Sequence, residues 1–345
     1  MIFVPFHPSQ GLGNQTWLLV TGIYFSHFFN KNLCLVNFTS FKAKKILLTK
    51  SISSFTFCEL DDIPRDTVTL SDELFYYEKS GRNYYFDESL SVFRLFKKFE
   101  NILIIGNWQS ENFIPSRSIL SNYLTFDFNK SIISDISETC ILNIRGGDYL
   151  GLFKSSTVAL NYWYRAINYL KSECGISKFA IITDDYLYAS LILPCVNILK
   201  GDLYHDLSCI ASAHYLILSN SSFAIFPAYL NPSARLILAP KLWSPVNIKG
   251  NMNWGSPVNF YSFFSYFDYY SSTPNLLHKN KNYIDSVPAL SVVESSSFLD
   301  VLLKQAPIAR SDSRLLIFIC STKKNLIYLI VFIKSLFIRN FFSHE

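Results

Sequence analysis

The residue whose type most clearly suits chemistry is Arg145, which ends an apolar run and is followed by Gly146, Gly147 and Asp148. A guanidinium keeps its charge and presents a planar fork of donors that matches two phosphate oxygens. Two glycines let a ligand come close to the backbone. The alternative is an arginine held in a structural ion pair with Asp148. The pattern therefore indicates anion binding at Arg145, with Asp148 either as a proton acceptor or as the residue that orients the arginine.

A second segment, Gln10–Gln15, reads Gln-Gly-Leu-Gly-Asn-Gln and stands between an apolar run and a helix-length segment. Gly11 and Gly13 permit close approach of a ligand, free N–H groups at a helix start attract anions, and Asn14 and Gln15 add amide donors. The alternative is a tight turn without a ligand. The third glycine of a dinucleotide fingerprint is missing, so NAD or FAD is not predicted.

Two further segments place small polar or acidic residues after apolar runs. Asp184 and Asp185 can accept hydrogen bonds from ribose or base donors, or can cap the next helix. Because the two acids are adjacent and lack an evident third ligand, no metal site is predicted. Asn220, Ser221 and Ser222 can bind phosphate at a helix start, although capping is the more common role for such residues.

These segments follow runs of strand length that alternate with helix-length segments, a pattern that predicts an α/β fold with parallel sheets. Ligands of such sheets bind beyond the carboxyl ends of the strands. The predicted helices are Thr16–Phe29 and Leu160–Leu170. The predicted strands are Ile2–Phe6, Leu33–Phe38, Ile102–Trp108, Cys140–Ile144, Phe179–Thr183, Tyr215–Leu218 and Arg235–Ala239.

The pattern restarts near Cys140, so a domain boundary is predicted in the polar piece Asn129–Thr139. Three parts result: residues 1–137, residues 138–270, and a linker with a C-terminal tail over residues 271–345. The net charge of +5 lacks the clustered basic residues of nucleic-acid binders. The seven cysteines form no CxxC pair, and the N-terminus lacks a signal-peptide pattern. We therefore expect a cytoplasmic protein.

The order of the motifs resembles that of the alpha-1,2-fucosyltransferases of glycosyltransferase family 11. Gly-Leu-Gly-Asn-Gln, Ile-Arg-Gly-Gly-Asp-Tyr, Thr-Asp-Asp and Asn-Ser-Ser-Phe follow one another in that order. Gly106–Glu111 is similar to the family's Gly-Tyr-x-Gln-Ser-Glu segment, and Leu160–Ile167 is similar to its stretch after the arginine motif. The resemblance covers about residues 1–245.

The resemblance implies a GT-B-like architecture of two Rossmann-like domains that face each other across a cleft. The N-terminal domain would be on the acceptor side. It also implies an inverting transfer of L-fucose from GDP-beta-L-fucose to a sugar hydroxyl, with an alpha-1,2 linkage on a cell-surface polysaccharide or O-antigen precursor, and without a metal or other cofactor. Arg145 and Asp148 are the implied catalytic residues. The implied GDP-fucose-binding residues are Gly11, Gly13, Asn14, Gln15, Asn143, Tyr149, Asp184, Asp185, Asp206, Asn220, Ser221 and Ser222.

The chain departs from the family's His-x-Arg-Arg-Gly-Asp-Tyr pattern at two positions, with Asn143 in place of the histidine and Gly146 in place of the second arginine. Two alternatives therefore stay open. One is a catalytically impaired relative that binds a nucleotide or a glycan, and the other is a transferase of the same fold that uses another GDP-sugar.

The C-terminal stretch Leu315–Phe342 is apolar and basic, and its longest uncharged run, Leu326–Ile333, is too short to span a bilayer. Such a helix suits the membrane interface, where lipid-linked acceptors lie. It equally suits a helix packed back on the domains. The first alternative predicts peripheral contact with the inner face of the plasma membrane.

Overall fold

The computed structural model describes residues 1–71, 76–79, 83–86, 96–106, 108–127, 136–151, 158, 160–240 and 261–267. The strands among them are β1 Ile2–Pro5, β2 Leu33–Val36, β3 Thr56–Cys58, β4 Val68–Ser71, β5 Tyr76–Lys79, β6 Asn83–Phe86, β7 Ile102–Ile105, β8 Thr139–Ile144, β9 Lys178–Thr183, β10 Asn197–Ile198, β11 Tyr215–Leu218, β12 Leu236–Pro240 and β13 Ser265–Phe267. The helices are α1 Leu12–Phe29, α2 Thr49–Ile52, α3 Arg117–Leu120, α4 Gly147–Gly151, α5 Leu160–Cys174, α6 Tyr186–Ile192, α7 Leu203–Ser212 and α8 Ile225–Leu230.

The first sheet has five parallel strands in the order β3-β2-β1-β7-β4. Ile2 pairs with Leu33 on one side and with Ile102 on the other. The chain reaches β2 and then returns to the far side of β1, so the strand order reverses between β1 and β7. In an open parallel sheet a crevice forms at that point, beyond the carboxyl ends of the two strands.

The second sheet has six parallel strands in the order β10-β9-β8-β11-β12-β13. Counted within this unit, the order is 3-2-1-4-5-6, which is the order of the doubly wound dinucleotide-binding fold. All six residues of the central strand β8 are buried. Strand order therefore reverses between β8 and β11, and this is where the second crevice lies.

A single apolar core joins one face of each sheet, because α1 is packed between them. Trp17 of α1 is fully buried, and its ring centroid lies 4.7 Å from that of Phe226 in α8. A helix with apolar residues all round is expected to be buried on all sides. A second core covers the other face of the second sheet, where Tyr162 and Trp163 of α5 are buried.

The predicted α/β fold with parallel sheets is confirmed, and the main differences lie at element ends. The predicted strand Ile102–Trp108 ends at Ile105, because Gly106 and Trp108 have φ angles of 109° and 49° that turn the chain. The predicted strand Leu33–Phe38 ends at Val36, since Asn37 is left-handed at φ 51°. Helix α1 begins at Leu12, four residues before the predicted start.

The short edge strands β3, β4, β10 and β13 escaped prediction, because two to four residues are too few to show a hydrophobic period. The predicted C-terminal helix and the linker lie outside the described residues, and the domain boundary stays a prediction. Within the described ranges, no helix combines the length and the apolar character that a membrane span needs.

Candidate functional site

The crevice of the second sheet is closed at its base by a hydrogen bond between the two strands that flank it. Asn143, near the end of β8, is buried, and its Oδ1 accepts a hydrogen bond from Ser219 Oγ at 3.2 Å. Ser219 N also donates to Asn143 O at 3.0 Å. Asn143, which stands where the family has histidine, therefore joins the ends of β8 and β11.

Arg145 follows β8 and is held between two carboxylates. Its Nη2 lies 2.6 Å from Asp148 Oδ1, and its Nη1 lies 2.7 Å from Asp184 Oδ2. The guanidinium carbon lies 5.2 Å from the centre of the Tyr149 ring, a cation–π distance. The ion pair with Asp148 that the sequence left open is thus present. The guanidinium has five N–H donors, of which these pairs use two; Nε is buried, so the second N–H of each terminal nitrogen remains for an anion.

The two glycines after Arg145 are packed against the loop that follows β9. Gly146 N donates to Asp184 Oδ1 at 2.9 Å, and Gly147 N donates to Asp185 Oδ2 at 3.2 Å. A Cβ atom at Gly146 would lie 2.7 Å from Asp185 Cβ. Gly147 has a φ of +41°, which disfavours other residues. Both glycines are therefore needed for close contact between the two loops.

Asp185 caps helix α6, which is the simpler of its two predicted roles. Its Oδ1 accepts a hydrogen bond from Tyr188 N at 3.0 Å, and its side chain is buried. Its own N–H donates to Thr183 Oγ1 at 3.0 Å. The neighbouring Asp184 is more exposed and faces Arg145. The acidic pair thus divides into a helix cap and a partner of the arginine.

The first-sheet glycines differ from each other in their surroundings. Gly11 has no atom within 4 Å of the place a Cβ would take, whereas a Cβ on Gly13 would lie 2.6 Å from Phe223 N and from Ser222 C. Gly13 thus lets α1 approach the loop after β11. Gly11 leaves open space at the carboxyl end of β1, where a ligand can approach the backbone.

Asn14 links the crevices of the two sheets. Its Oδ1 accepts hydrogen bonds from Gln109 Nε2 at 3.1 Å and from Ser222 Oγ at 3.0 Å. Gln109 follows β7 and Ser222 follows β11, so the two carboxyl edges meet at this side chain. Gln109 was missed as a site residue, although it belongs to the Gly106–Glu111 segment that carries the family resemblance.

The side chain of Gln15 is fully buried, and its amide forms hydrogen bonds with the backbone near the first sheet. Its Nε2 donates to His7 O and to Ser40 O, each at 2.9 Å, and its Oε1 accepts from Lys42 N at 2.8 Å. The side chain therefore holds the loops after β1 and β2 together. These bonds give Gln15 a structural role.

The loop after β11 begins with three buried residues, Ser219, Asn220 and Ser221. Ser221 Oγ accepts a hydrogen bond from Phe223 N at 3.4 Å, which caps the short turn before α8. Pro227 lies in the first turn of α8, where a missing N–H costs nothing. Capping is therefore observed for Ser221, and contact with Asn14 for Ser222.

Asp206 lies in the first turn of α7 beside His205, a residue that sequence reasoning did not select. His205 Nδ1 lies 3.3 Å from Asp206 Oδ1. Burial raises the pKa of the Asp206 carboxyl to about 6, against the opposing effect of His205. The charges of Asp202 and Asp184 raise this pKa further. The sequence could have indicated His205 as a site residue, because His205 and Asp206 are adjacent and follow the helix cap Asp202 by three and four residues.

The carboxyl edge of the second sheet carries Arg145 and several acidic residues. These acids are Asp148, Asp184, Asp185 and Asp206. Within the part of the chain that the structure describes, no group of three or more histidine, cysteine or acidic residues is arranged to hold a metal ion.

Comparison with known proteins identifies structural similarity without sequence similarity. No protein-family model matches the chain, and no curated protein matches it. Among solved structures, it is similar to NodZ alpha-1,6-fucosyltransferase co-crystallized with GDP, at 13% identity and a TM-score of 0.41, over 68% of this chain and 93% of NodZ. It is similar to POFUT1 in complex with GDP, at 11% identity and a TM-score of 0.41, over 69% of this chain and 97% of POFUT1.

A third similar structure is the glycosyl transferase family 9 protein from Veillonella parvula, at 10% identity and a TM-score of 0.40, over 90% of this chain and 91% of that protein. NodZ is thus a fucosyltransferase and the Veillonella parvula protein a glycosyl transferase. Similarity at this level is too low to transfer an activity or a family, and the resemblance to family 11 stays an expectation.

Proposed function

We propose that this protein is an inverting fucosyltransferase that moves L-fucose from GDP-beta-L-fucose to a sugar hydroxyl. The observation that carries the proposal is the position of Arg145 beyond the carboxyl end of β8, at the point where strand order in the second sheet reverses. Doubly wound sheets bind nucleotides at that point. The resemblance to family 11 implies GDP-fucose as the donor and an alpha-1,2 linkage on a polysaccharide precursor as the product.

The proposed mechanism is a displacement in which charge develops on the departing diphosphate. As the bond between fucose and phosphate breaks, negative charge grows on GDP and positive character grows on the sugar ring. The donors of Arg145 that Asp148 and Asp184 leave free stabilise the leaving group, and fixed donors of this kind are often the largest catalytic contribution. The open space at Gly11 allows the donor or acceptor to reach the opposite edge.

A second candidate function is nucleotide or glycan binding without catalysis. Two observations favour it. The two terminal nitrogens of Arg145 each contact a carboxylate, and Gly146 stands where the family has its second arginine. One cation among several acids attracts a diphosphate weakly. Incubation with GDP-fucose separates the candidates, since transfer or hydrolysis supports the enzyme and binding without turnover supports the alternative.

The donor assignment is tested by calorimetric titration with GDP, GDP-fucose, GDP-mannose and UDP-glucose. GDP-fucose is expected to bind most tightly. Binding of the UDP-sugar without binding of GDP would refute the assignment. Preference for GDP-mannose would favour a transferase that uses another GDP-sugar.

The role of Arg145 is tested by Arg145→Lys and Arg145→Ala, with initial rates against GDP-fucose and circular dichroism as a folding control. Loss of one preorganised donor to a developing anion costs about 10²–10³ in rate. Lysine is expected to protect only partly, because it replaces a fork by a point charge. Wild-type turnover in a folded Arg145→Ala protein would remove this residue from the mechanism.

A further inference from the structure

We propose that Asp206, held in place by His205, accepts the proton of the acceptor hydroxyl. This inference rests on the proposed function, because a proton acceptor is needed only where a sugar hydroxyl is the nucleophile. It moves the base from Asp148, the residue that the sequence favoured, to a carboxylate that the resemblance associated with donor binding.

The other carboxylates of this edge are already engaged. Asp148 and Asp184 each contact the guanidinium of Arg145, at 2.6 and 2.7 Å, so each is already held in an ion pair. Asp185 accepts hydrogen bonds from two backbone N–H groups, and Asp202 caps α7 by accepting from His205 N at 2.8 Å. Each of these four acids holds part of the structure in place.

Asp206 is differently placed. Its described hydrogen-bond partner is the imidazole of His205, at 3.3 Å, and its side chain keeps 20% of its surface exposed, which is enough for a hydroxyl to reach it. Helix α7 runs from β10 back to β11, so its first turn lies at the carboxyl edge of the sheet. Arg145 follows β8 of the same sheet, so Asp206 and Arg145 lie at the same carboxyl edge.

The charged groups around Asp206 favour a base that works near neutral pH. Burial, Asp202 and Asp184 raise the pKa of Asp206, and His205 opposes them. A base is most effective when its pKa lies close to the working pH, provided that it is still ionised there.

The other groups on or against α7 leave this assignment intact. The thiol of Cys209, one turn along α7, is itself neutral, because burial and Asp206 raise its pKa to about 12. Tyr204 of α7 contacts two lysine residues: the centroid of its ring lies 4.6 Å from Lys45 Nζ, and its hydroxyl donates a hydrogen bond to Lys42 O at 3.4 Å.

The proposed step is balanced in atoms and electrons. The acceptor oxygen attacks the anomeric carbon of fucose while the bond from that carbon to the phosphate oxygen breaks, and the bonding electron pair leaves with GDP. The O–H bond of the acceptor breaks, and its proton moves to the Asp206 carboxylate. That proton is released to water after the product has left, so no other reactant is required.

The test compares Asp206→Asn with Asp202→Asn, which keeps the capping oxygen and removes a neighbouring charge. Transfer rates are measured across pH with GDP-fucose and with lactose as the probe acceptor, and GDP affinity is measured by calorimetry. Asp206→Asn is expected to lose about 10²–10⁴ in transfer rate while it binds GDP as the wild type does. Asp206→Glu should retain more transfer than the asparagine variant, because it keeps a carboxylate.

Asp202→Asn is expected to keep transfer and to move the acid limb of its rate profile to lower pH, since removal of the Asp202 charge lowers the pKa of Asp206. Wild-type transfer by Asp206→Asn would overturn the proposal. So would parallel loss of GDP binding in that variant, which would make Asp206 a donor-binding residue. A wild-type protein that binds GDP without transfer would instead contradict the proposed function itself.

Discussion

At the scale of single residues, Asp206 makes the stability of the protein depend on pH, in addition to its proposed role in the reaction. Its pKa in the folded protein is about 6, above the ordinary value of 3.8. Between these values the folded protein holds a proton that the unfolded chain releases. The free energy of unfolding therefore falls as pH rises from about 4 to about 6, and it stays lower above that range.

The prediction is that Asp206→Asn stabilises the protein at pH 7 by on the order of 1–2 kcal/mol, because the buried charge is removed. The same variant should lose the decline in stability between about pH 4 and pH 6 that Asp206 causes. Urea unfolding across that range measures both effects, with the exposed Asp66→Asn as control. An unchanged pH dependence in Asp206→Asn would show that the carboxyl has an ordinary pKa.

Close packing around Gly146 limits which residues can replace it. The missing second arginine suggests Gly146→Arg as a way to improve donor binding. A Cβ atom there would lie 2.7 Å from Asp185 Cβ and 2.9 Å from Tyr188 Cδ1, so space and not backbone angle is the obstacle. Real Cβ atoms avoid such distances, and the loop after β9 would have to move.

We therefore expect Gly146→Ala and Gly146→Arg each to destabilise the protein by about 1–3 kcal/mol, the usual cost of overpacking. Gly146→Arg should weaken GDP binding, because the displaced loop carries the Asp184 that positions Arg145. Thermal unfolding and calorimetry measure the two effects. A Gly146→Arg protein that is as stable as the wild type and binds GDP more tightly would contradict this account.

At the scale of elements, the start of α1 is where the two sheets are joined. Gly13 lies against the backbone of residues 222–223, and Asn14 accepts hydrogen bonds from both carboxyl edges. Gly11, two residues earlier, has an extended backbone with φ −66° and open space around it. One glycine thus serves packing, and the other leaves room for a ligand.

This difference predicts opposite results from the same substitution. Gly13→Ala is expected to destabilise the fold by about 1–3 kcal/mol, because its Cβ would meet backbone atoms that cannot swing away. Gly11→Ala is expected to be neutral or to stabilise by about 0.4–1 kcal/mol through the unfolded chain. Unfolding of both variants in urea makes the comparison. Equal stability of the two would argue against close packing at Gly13.

At the scale of the whole molecule, two parallel sheets turn their carboxyl edges toward a shared junction at Asn14. The segment 261–267 reinforces this junction, because Ser262 donates from its N–H and its hydroxyl to Glu111 of the first unit, and β13 then joins the second sheet. Under the proposed function, donor and acceptor would meet between these two edges, whose separation is fixed by packed side chains.

This arrangement leads to a prediction about metal dependence. If Arg145 stabilises the leaving diphosphate, transfer in excess EDTA should continue at the rate measured without the chelator. The measurement is the initial rate with chelator, with and without added manganese. A loss of activity in EDTA that manganese restores would show that a metal supplies the charge that this mechanism assigns to Arg145.

The sequence by itself determined the fold class and the order of the motifs, because these depend on local apolar runs and on the residues that follow them. Strand β11 was predicted at its observed bounds, since a run of four apolar residues ends at a polar loop. Arg145 was placed at a strand end for the same reason. Both conclusions need only contacts between neighbours in the chain.

Only the tertiary structure decided which polar side chains are engaged. Asp184 and Asp185 are adjacent and alike in sequence, yet one contacts Arg145 and the other caps a helix. Gln15 resembles a ligand-binding amide until its three backbone partners are seen. His205 becomes a candidate site residue only in the structure, because burial raises the pKa of the Asp206 carboxyl beside it. Hydrogen bonding and desolvation depend on groups far apart in the chain, which residue spacing does not record.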